Sequence, residues 1–247
     1  MPLPPLARSS ACRAALVALP LLLLALLLAL PAGPAAAAST GPAEVFRVAP
    51  GSGKIALTFD GADWPGRITD ILTTLRAHHA RATFFLTGGY LIHWPRTTRM
   101  IANAGMEIAN HSYDHVDFTG LSDGAIRNEV RAQEALYTRT TGLPEIHYWR
   151  PPYGAVNSRV LNVVSGLGWR TIMWSLDSLD TGGAPKSAAY IFNRLTSPSR
   201  SRLDGGILLL HVNPNGTVDA LPRVLNYLGA IGLQPVTVGD LLGDTGR

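Results

Sequence analysis

Two histidines four residues apart carry the clearest chemical signal in the sequence. His111 and His115 follow a short strand candidate, Met106–Ala109. A spacing of four places both imidazoles on one side of a helical turn, close enough to share a divalent metal ion. A third, anionic ligand would complete a catalytic site with an open position for water or substrate, and the metal would polarise a carbonyl group. Taken alone, the pair is equally compatible with two hydrogen-bonded polar side chains.

Other residues able to do chemistry also lie at the ends of apolar runs. They are Asp60 after Ile55–Phe59, Arg150 in a run that begins at His147, Asp177 and Asp180 after Thr171–Leu176, and His211 after Gly206–Leu210. A lone Asp at such a place is usually a turn former, but several such sites together favour a common function. A carboxylate beside a metal can act as general base, and a histidine on the opposite wall can act as general acid. Asp60 and His211 lie where those two roles require.

The elements that must position these residues alternate along the chain. Strand-like apolar runs are separated by helix-like patterns, such as the i, i+3, i+4, i+7 spacing between Ile68 and Leu75. Ser122 is a candidate cap for a helix that runs to about Thr140. Alternating strands and helices favour a parallel sheet with helices outside. Roughly seven units in about 200 residues fit a small (β/α) barrel, in which the chemistry lies at the carboxyl ends of the strands.

The first residues indicate export. Arg8 and Arg13 precede an uncharged run, Ala14–Ala38, that ends in small residues suited to signal peptidase. We expect a signal peptide over residues 1–38, a linker over 39–53 and a catalytic domain over 54–242. An uncleaved membrane anchor is the alternative, because ~20 apolar residues can span a bilayer. In both cases the domain would be exported, either secreted or associated with the cell wall.

Composition limits the possible partners. The chain has 247 residues, 47% of them hydrophobic, which is enough for one core. Without the two arginines of the leader, 19 basic and 17 acidic residues leave a net charge of +2. This charge and the lack of a basic run argue against nucleic-acid binding. The single cysteine, Cys12, lies in the leader, so the domain must rely on packing for stability. We expect a monomer.

Five segments, in order, resemble the motifs of the polysaccharide deacetylases, also called NodB-like domains or carbohydrate esterase family four. They are Thr58–Asp60, His111–His115, Arg150–Gly154, Asp177–Asp180 and Leu209–His211. The resemblance extends from about Lys54 to Leu242. It implies an α/β fold, a distorted seven-stranded TIM-like (β/α) barrel. It also implies a divalent metal held by the two histidines, zinc before Co²⁺, Ni²⁺ or Mn²⁺.

The resemblance also implies a role for each catalytic residue. Asp60 would be the general base for a metal-activated water, and His211 the general acid that protonates the leaving amine. Arg150 would pair with Asp60, and Asp180 would hold Arg150, with Asp177 as the alternative partner. The backbone N–H of Tyr153 would help to stabilise the tetrahedral oxyanion.

Two positions depart from the family pattern. The family places a second Asp directly after the first, as the third metal ligand, whereas this chain has Gly61. Asp63 is the substitute that we expect; its alternative role is to cap a helix that begins near Trp64. The fourth motif commonly ends in Trp, but here Thr181 follows Asp180.

These features predict a metal-dependent hydrolase that removes acetyl groups from the N-acetylated sugars of a cell-wall or extracellular polysaccharide. Peptidoglycan is the favoured substrate, with chitin oligomers and other glycans as alternatives. The missing Asp at Gly61 motivates a second hypothesis, a catalytically silent carbohydrate-binding domain on the same fold. A binding domain would need neither Asp60 nor His211, which favours the enzyme. A third hypothesis is a metal-dependent amidase acting on a peptide or a small amide.

Overall fold

Eight parallel strands form one sheet in the computed structural model of the protein, which describes Met1 and residues 44–244. The strands are β1 (Lys54–Gly61), β2 (Thr83–Leu86), β3 (Glu107–Asn110), β4 (Tyr148–Trp149), β5 (Arg170–Thr171), β6 (Leu176–Asp177), β7 (Ile207–His211) and β8 (Gln234–Val236). Seven of them follow the order β5-β4-β3-β2-β1-β7-β6, and β8 pairs with the start of β1. The path curls with β5 and β6 at its ends, which confirms the distorted seven-stranded (β/α) barrel. The predicted signal peptide lies outside the described residues.

Helices flank the sheet, most of them on its outer face. They are α1 (Ile68–Ala77), α2 (Gly88–His93), α3 (Pro95–Asn103), α4 (Asp123–Thr141), α5 (Ser158–Ser165), α6 (Ala188–Thr196), α7 (Arg200–Leu203), α8 (Asn215–Ala230) and α9 (Val238–Leu242). Helix α4 begins as predicted, because the Ser122 hydroxyl accepts a hydrogen bond from the Ala125 amide at 3.3 Å. It ends at Gly142, whose φ of 74° is readily adopted only by glycine. None of the helices in residues 44–244 is both long and apolar enough to cross a membrane.

The apolar run Thr171–Leu176 is not one strand, as the sequence predicts, but contributes to two. Its start belongs to β5, which pairs with β4, and its end belongs to β6, which pairs with β7 at the other edge of the sheet. The chain therefore crosses from one edge to the other within this run. Both halves are apolar because the crossing is covered, with Ile172 and Met173 buried. Burial alone does not distinguish a continuous strand from a covered crossing.

Residues 44–53, which the sequence assigns to a linker, make ordered contacts with the barrel. Val45 bridges to Ile172 beside β5, and Arg47 bridges to Gly206 at the start of β7. The carboxylate of buried Asp204 accepts hydrogen bonds from the amides of Gly51 and Gly53 at 3.0 and 3.1 Å. This segment thus connects the residue after β5 with the start of β7, and its contacts begin before Lys54.

Alternation along β1 places Asp60 inside the barrel. Leu57 and Phe59 belong to the core between the sheet and the helices, whereas Ala56 belongs to a smaller apolar cluster with Phe85. Since successive side chains point to opposite faces of a strand, Asp60 lies on the same face as Ala56. Asp60 is therefore held near the carboxyl end of a strand that is buried from Ile55 onward.

Candidate active site

Arg150 fixes the orientation of Asp60. The guanidinium Nη1 donates to Asp60 Oδ1 at 2.7 Å and to the Thr58 hydroxyl at 2.8 Å. Nε and Nη2 donate to the carbonyl oxygens of Ile172 and Met173. Arg150 is fully buried and Asp60 is only 5% exposed, so the pair is shielded from solvent. The expected pairing of these two residues is present, and it leaves Asp60 Oδ2 available for chemistry.

Asp60 is kept ionised by its neighbours. Burial raises the pKa of a carboxyl group, but the charge and hydrogen bond of Arg150, together with the nearby His111 and His211, lower the pKa of Asp60 by more. The net pKa of Asp60 therefore lies below its ordinary value. The carboxylate form, which a general base requires, is thus the resting form of Asp60.

His111 and His115 lie together on the loop after β3. Their ring centroids are 5.0 Å apart, and His111 Nε2 lies 3.6 Å from Asp60 Oδ2. His111 Nδ1 is 2.8 Å from the Arg150 carbonyl oxygen, so it carries the proton and leaves Nε2 free to bind a metal. Burial lowers the pKa of His111 to about 4, which keeps the imidazole neutral, as a metal ligand must be.

His211, at the end of β7, is held by Asp180. His211 Nδ1 donates to Asp180 Oδ1 at 2.7 Å, and its backbone amide donates to Oδ2 at 2.9 Å. The Thr217 hydroxyl donates to the same Oδ2 at 2.5 Å. The prediction that Asp180 holds Arg150 is therefore wrong, because its carboxylate is engaged by His211 and Thr217. Asp177, the alternative, is also not the partner of Arg150, since Asp177 Oδ1 accepts from the Leu179 amide.

The pKa of His211 reflects this environment. Burial lowers the pKa, but the hydrogen bond to Asp180 and the negative charge of Asp60 raise it by more. The net pKa of His211 lies above its ordinary value, so the ring retains a proton to higher pH. A general acid needs that proton.

These groups surround one cavity. Asp60 and His211 are register partners on the adjacent strands β1 and β7. The cavity has a volume of about 360 Å³, and its lining includes Asp60, His111, His115, Tyr153, Trp174 and His211. The catalytic residues predicted from the sequence are thus brought together, whereas a larger cavity of about 560 Å³ beside Glu107 contains none of them.

Backbone strain is concentrated around this cavity. Positive φ angles between 55° and 69°, which residues other than glycine rarely adopt, occur at Ser112, His115, Tyr153 and Leu179. Each such residue costs on the order of 1–3 kcal/mol and persists only where surrounding contacts enforce it. The Tyr153 hydroxyl donates to the His115 carbonyl oxygen at 3.2 Å, which ties two of these loops together. The predicted oxyanion role of the Tyr153 amide stays a prediction.

The two imidazoles suit a divalent metal, but within residues 44–244 no third ligand joins them. The described part of the chain contains no group of three or more His, Cys, Asp or Glu residues that could hold a metal ion. A Cβ at Gly61 would lie 2.9 Å from Leu86 Cδ2 and 3.3 Å from Tyr90 Cδ2. Position 61 therefore faces the apolar outer core, and a carboxylate there would need a different backbone path.

Asp63 is exposed and is not brought into a ligand group with the histidines. Its influence on His115 is electrostatic: burial lowers the pKa of His115, and the charge of Asp63 partly opposes this shift. The alternative role as a cap is wrong, because α1 begins at Ile68 and Arg67 occupies the capping position. The Asp63 carbonyl oxygen instead accepts from Trp94 Nε1 at 3.1 Å.

Sequence reasoning missed two supporting residues, Thr58 and Thr217. Thr58 is buried in β1 and accepts from Arg150, while its hydroxyl donates to the Leu208 carbonyl oxygen at 2.6 Å. Its position two residues before Asp60, on the same face of the strand, was an available signal. Thr217 lies in the first turn of α8, and no spacing in the sequence links it to Asp180.

Comparisons with known proteins agree with this architecture. Residues 47–172 match the family model described as polysaccharide deacetylase. A peptidoglycan-N-acetylglucosamine deacetylase of Bacillus cereus is 31% identical over 192 residues, which cover 76% of this chain and 68% of that protein.

Solved structures show the same fold at low sequence identity. Bacillus subtilis PdaA, a family 4 carbohydrate esterase, has a TM-score of 0.76 and 26% identity, covering 82% of this chain and 86% of that chain. A family 4 carbohydrate esterase pseudoenzyme from Bacillus anthracis has a TM-score of 0.75 and 27% identity, covering 81% and 69% of the two chains. Fold, motif order and the matched residues lead to one conclusion: the chain belongs to the polysaccharide deacetylase family, carbohydrate esterase family 4.

Proposed function

We propose that this protein is a metal-dependent hydrolase that removes acetyl groups from the N-acetylated sugars of a cell-wall or extracellular polysaccharide. The observation that carries the proposal is the shared cavity, in which Asp60 and His211 lie on neighbouring strands beside His111 and His115. An amide carbon is a poor electrophile and an amine is a poor leaving group. Hydrolysis therefore needs an activated water, a stabilised oxyanion and a proton donor together.

Asp60 is suited to be the general base. Arg150 holds Oδ1, and Oδ2 faces the histidine pair at 3.6 Å from His111 Nε2. Water placed in the cavity beside Oδ2 would transfer its proton to that oxygen as it attacks the acetyl carbon. Because the lowered pKa of Asp60 keeps it ionised, it is ready to accept the proton over a wide pH range.

His211 is suited to be the general acid. The Asp180 carboxylate accepts a hydrogen bond from His211 Nδ1. The other ring nitrogen, Nε2, therefore points away from Asp180. The raised pKa of His211 lets the ring keep its proton to higher pH than an ordinary imidazole, so it can donate to the departing amine nitrogen. Thr217 fixes the carboxylate that orients the ring, which limits the number of positions His211 can take.

His111 and His115 would hold the metal ion, with zinc as the first choice and Co²⁺, Ni²⁺ or Mn²⁺ as alternatives. When bound, the metal supplies Lewis-acid polarisation of the acetyl carbonyl and activation of water. Two protein ligands give weaker binding than a full set, so we expect the occupancy of the site to depend on the metal concentration. The Tyr153 backbone N–H is the proposed second donor to the oxyanion.

A catalytically silent carbohydrate-binding domain is the alternative. Gly61 and the resemblance to a pseudoenzyme structure favour it. The ion pair of Asp60 with Arg150 and the hydrogen bond of His211 with Asp180 favour the enzyme, because binding alone requires neither.

Peptidoglycan is the proposed substrate. The named relative in Bacillus cereus is a peptidoglycan-N-acetylglucosamine deacetylase, and the apolar, small-residue-terminated start of this chain suits export. The proposed location is outside the cytoplasmic membrane, secreted or associated with the cell wall. Chitin oligomers and other acetylated glycans are the competing substrates.

Acetate release tests the proposal. The zinc-loaded protein would be incubated with peptidoglycan, a chitin oligosaccharide and acetylxylan side by side, with released acetate measured enzymatically. We expect the fastest release from peptidoglycan. Binding of a glycan with no acetate from any of the three would establish the silent alternative. Acetate from acetylxylan alone would replace the amide substrate with an ester.

A further inference from the structure

The loop that carries the two histidines is held on both sides by helices. Helix α2 binds two of the loop's carbonyl groups: the amides of Gly88 and Gly89 donate to the carbonyl oxygens of Ser112 and Tyr113 at 3.0 and 3.2 Å. Helix α4 binds two of the loop's N–H groups: the Glu129 carboxylate oxygen Oε2 accepts from the amides of Tyr113 and Asp114 at 3.0 and 2.9 Å. Glu129 belongs to α4 and to none of the five family-like segments.

This loop needs external support. Ser112 and His115 both have positive φ angles, 69° and 56°, within five residues. A chain segment with two such residues does not keep its shape by local preference alone. The internal contact, from the His115 amide to the Ser112 hydroxyl at 3.0 Å, closes the turn but does not anchor it to the barrel.

Helix α4 provides a second anchor one turn further on. Gln133 follows Glu129 by four residues, so the two side chains lie on the same face of the helix. Gln133 Oε1 accepts from Asn110 Nδ2 at 2.6 Å, and Asn110 Oδ1 accepts from the Ser112 amide at 2.9 Å. Gln133 Nε2 donates to the Leu86 carbonyl oxygen at 2.9 Å, which ties the network to β2.

We infer that Glu129 is a positioning residue that holds the loop so that His111 and His115 converge on one metal ion. The inference rests on the proposed function of those histidines. Glu129 touches no reacting group itself; it acts by accepting the two backbone N–H groups between the histidines. Its contribution depends on an acceptor oxygen at this place rather than on a negative charge.

Three variants separate this role from general stabilisation. Glu129→Ala removes the acceptor, and Glu129→Gln keeps an oxygen acceptor without the charge. Glu134→Ala is the matched control on the same helix, because Glu134 contacts His147 at 3.4 Å and lies outside the site. Each full-length protein would be measured by amide hydrogen exchange without metal, and by Zn²⁺ titration against a competing chelator.

For Glu129→Ala we expect at least tenfold faster exchange of the Tyr113 and Asp114 amides. We also expect zinc binding that is weaker by about 10–100-fold, the range typical for residues that orient metal ligands. Glu129→Gln is expected to stay within threefold of the wild type in both measurements. Glu134→Ala should leave both unchanged.

Unchanged exchange in Glu129→Ala would overturn the inference, as would equal losses in Glu129→Gln and Glu129→Ala. Zinc binding weakened to the same degree by Glu134→Ala would also overturn it, since the effect would then be general. If the wild type binds no zinc, the metal part of the proposed function fails, and the exchange data alone decide whether Glu129 holds the loop.

Discussion

Asp180 and His211 form a directly hydrogen-bonded pair, with Asp180 Oδ1 at 2.7 Å from His211 Nδ1. The side chain of His211 remains 25% exposed, whereas that of Asp180 is fully buried. The carboxylate is therefore placed behind the imidazole, and the ring presents its other nitrogen to the cavity. This pair joins the fourth and fifth family-like segments by a hydrogen bond. Arg150 takes no part in it and instead donates to Asp60.

The pair predicts a pH effect. Because Asp180 raises the pKa of His211, Asp180→Asn should lower that pKa. The acid must be protonated to act, so the basic limb of the kcat profile should move to lower pH. At pH 8 the variant should lose activity by up to about 100-fold, the lower end of the range for general acid catalysis. A pH series of acetate release measures this shift.

Asp219→Asn is the control for this prediction, since Asp219 belongs to α8, as Thr217 does, but pairs with Arg67 on the surface. Its pH profile should match that of the wild type. A basic limb that stays in place in Asp180→Asn would contradict the assignment of His211 as the acid that Asp180 supports.

Metal binding should depend on the histidine pair and much less on Asp63. We expect His111→Ala to abolish stoichiometric zinc binding and Asp63→Ala to change the affinity by less than about threefold, because Asp63 acts on His115 only through its charge. His147→Ala is the control, since His147 stacks on Trp169 away from the site. Isothermal titration with Zn²⁺ measures all three. A tenfold loss in Asp63→Ala would return Asp63 to the ligand set.

Gly61 should resist substitution. Gly61→Ala places a Cβ 2.9 Å from Leu86 Cδ2, so we expect it to reduce the free energy of unfolding by about 1–3 kcal/mol. Gly229→Ala, a helical glycine with nothing within 4 Å of its added Cβ, should be neutral or stabilise by up to about 1 kcal/mol. Denaturant unfolding compares the two.

Gly61→Asp should also fail to create a metal ligand. Its carboxylate would point toward the outer core rather than toward the histidines, so we expect destabilisation without tighter zinc binding. Tenfold tighter binding with unchanged stability would mean that the chain after β1 can take another path.

Sequence patterns predicted the elements whose burial is regular. The apolar spacing from Ile68 to Leu75 identified α1, and Ser122 identified the start of α4. The run Thr171–Leu176 misled because a covered crossing and a strand are equally apolar. A proline marks another boundary: α2 ends at His93, and Pro95 opens α3.

In the site, the motif residues were predictable but their pairing was not. Asp60, His111 and His211 lie at strand ends, where barrel chemistry is expected. The partner of Asp180 depends on which strand follows β6 in the sheet, and β6 pairs with β7, which carries His211. The order of strands along the chain does not reveal that β6 and β7 are neighbours in the sheet. The predicted pairing of Asp180 with Arg150 is wrong for this reason.

Asp60→Asn is the most direct test of the central claim that Asp60 and the histidine pair form one hydrolytic centre. Asn matches Asp in size and can still accept from Arg150, but it cannot take a proton. The loss of the buried counter-charge could cost about 3–5 kcal/mol, so the assay temperature must lie below the unfolding transition of the variant. Circular dichroism at that temperature checks that the variant is folded.

The decisive measurement is acetate release from peptidoglycan by zinc-loaded wild type and Asp60→Asn at equal zinc occupancy. We predict release by the wild type and a kcat that is lower by about 10²–10⁴-fold in the folded variant, the range of general base catalysis. Equal rates of the two proteins, or no acetate from the wild type, would contradict the account.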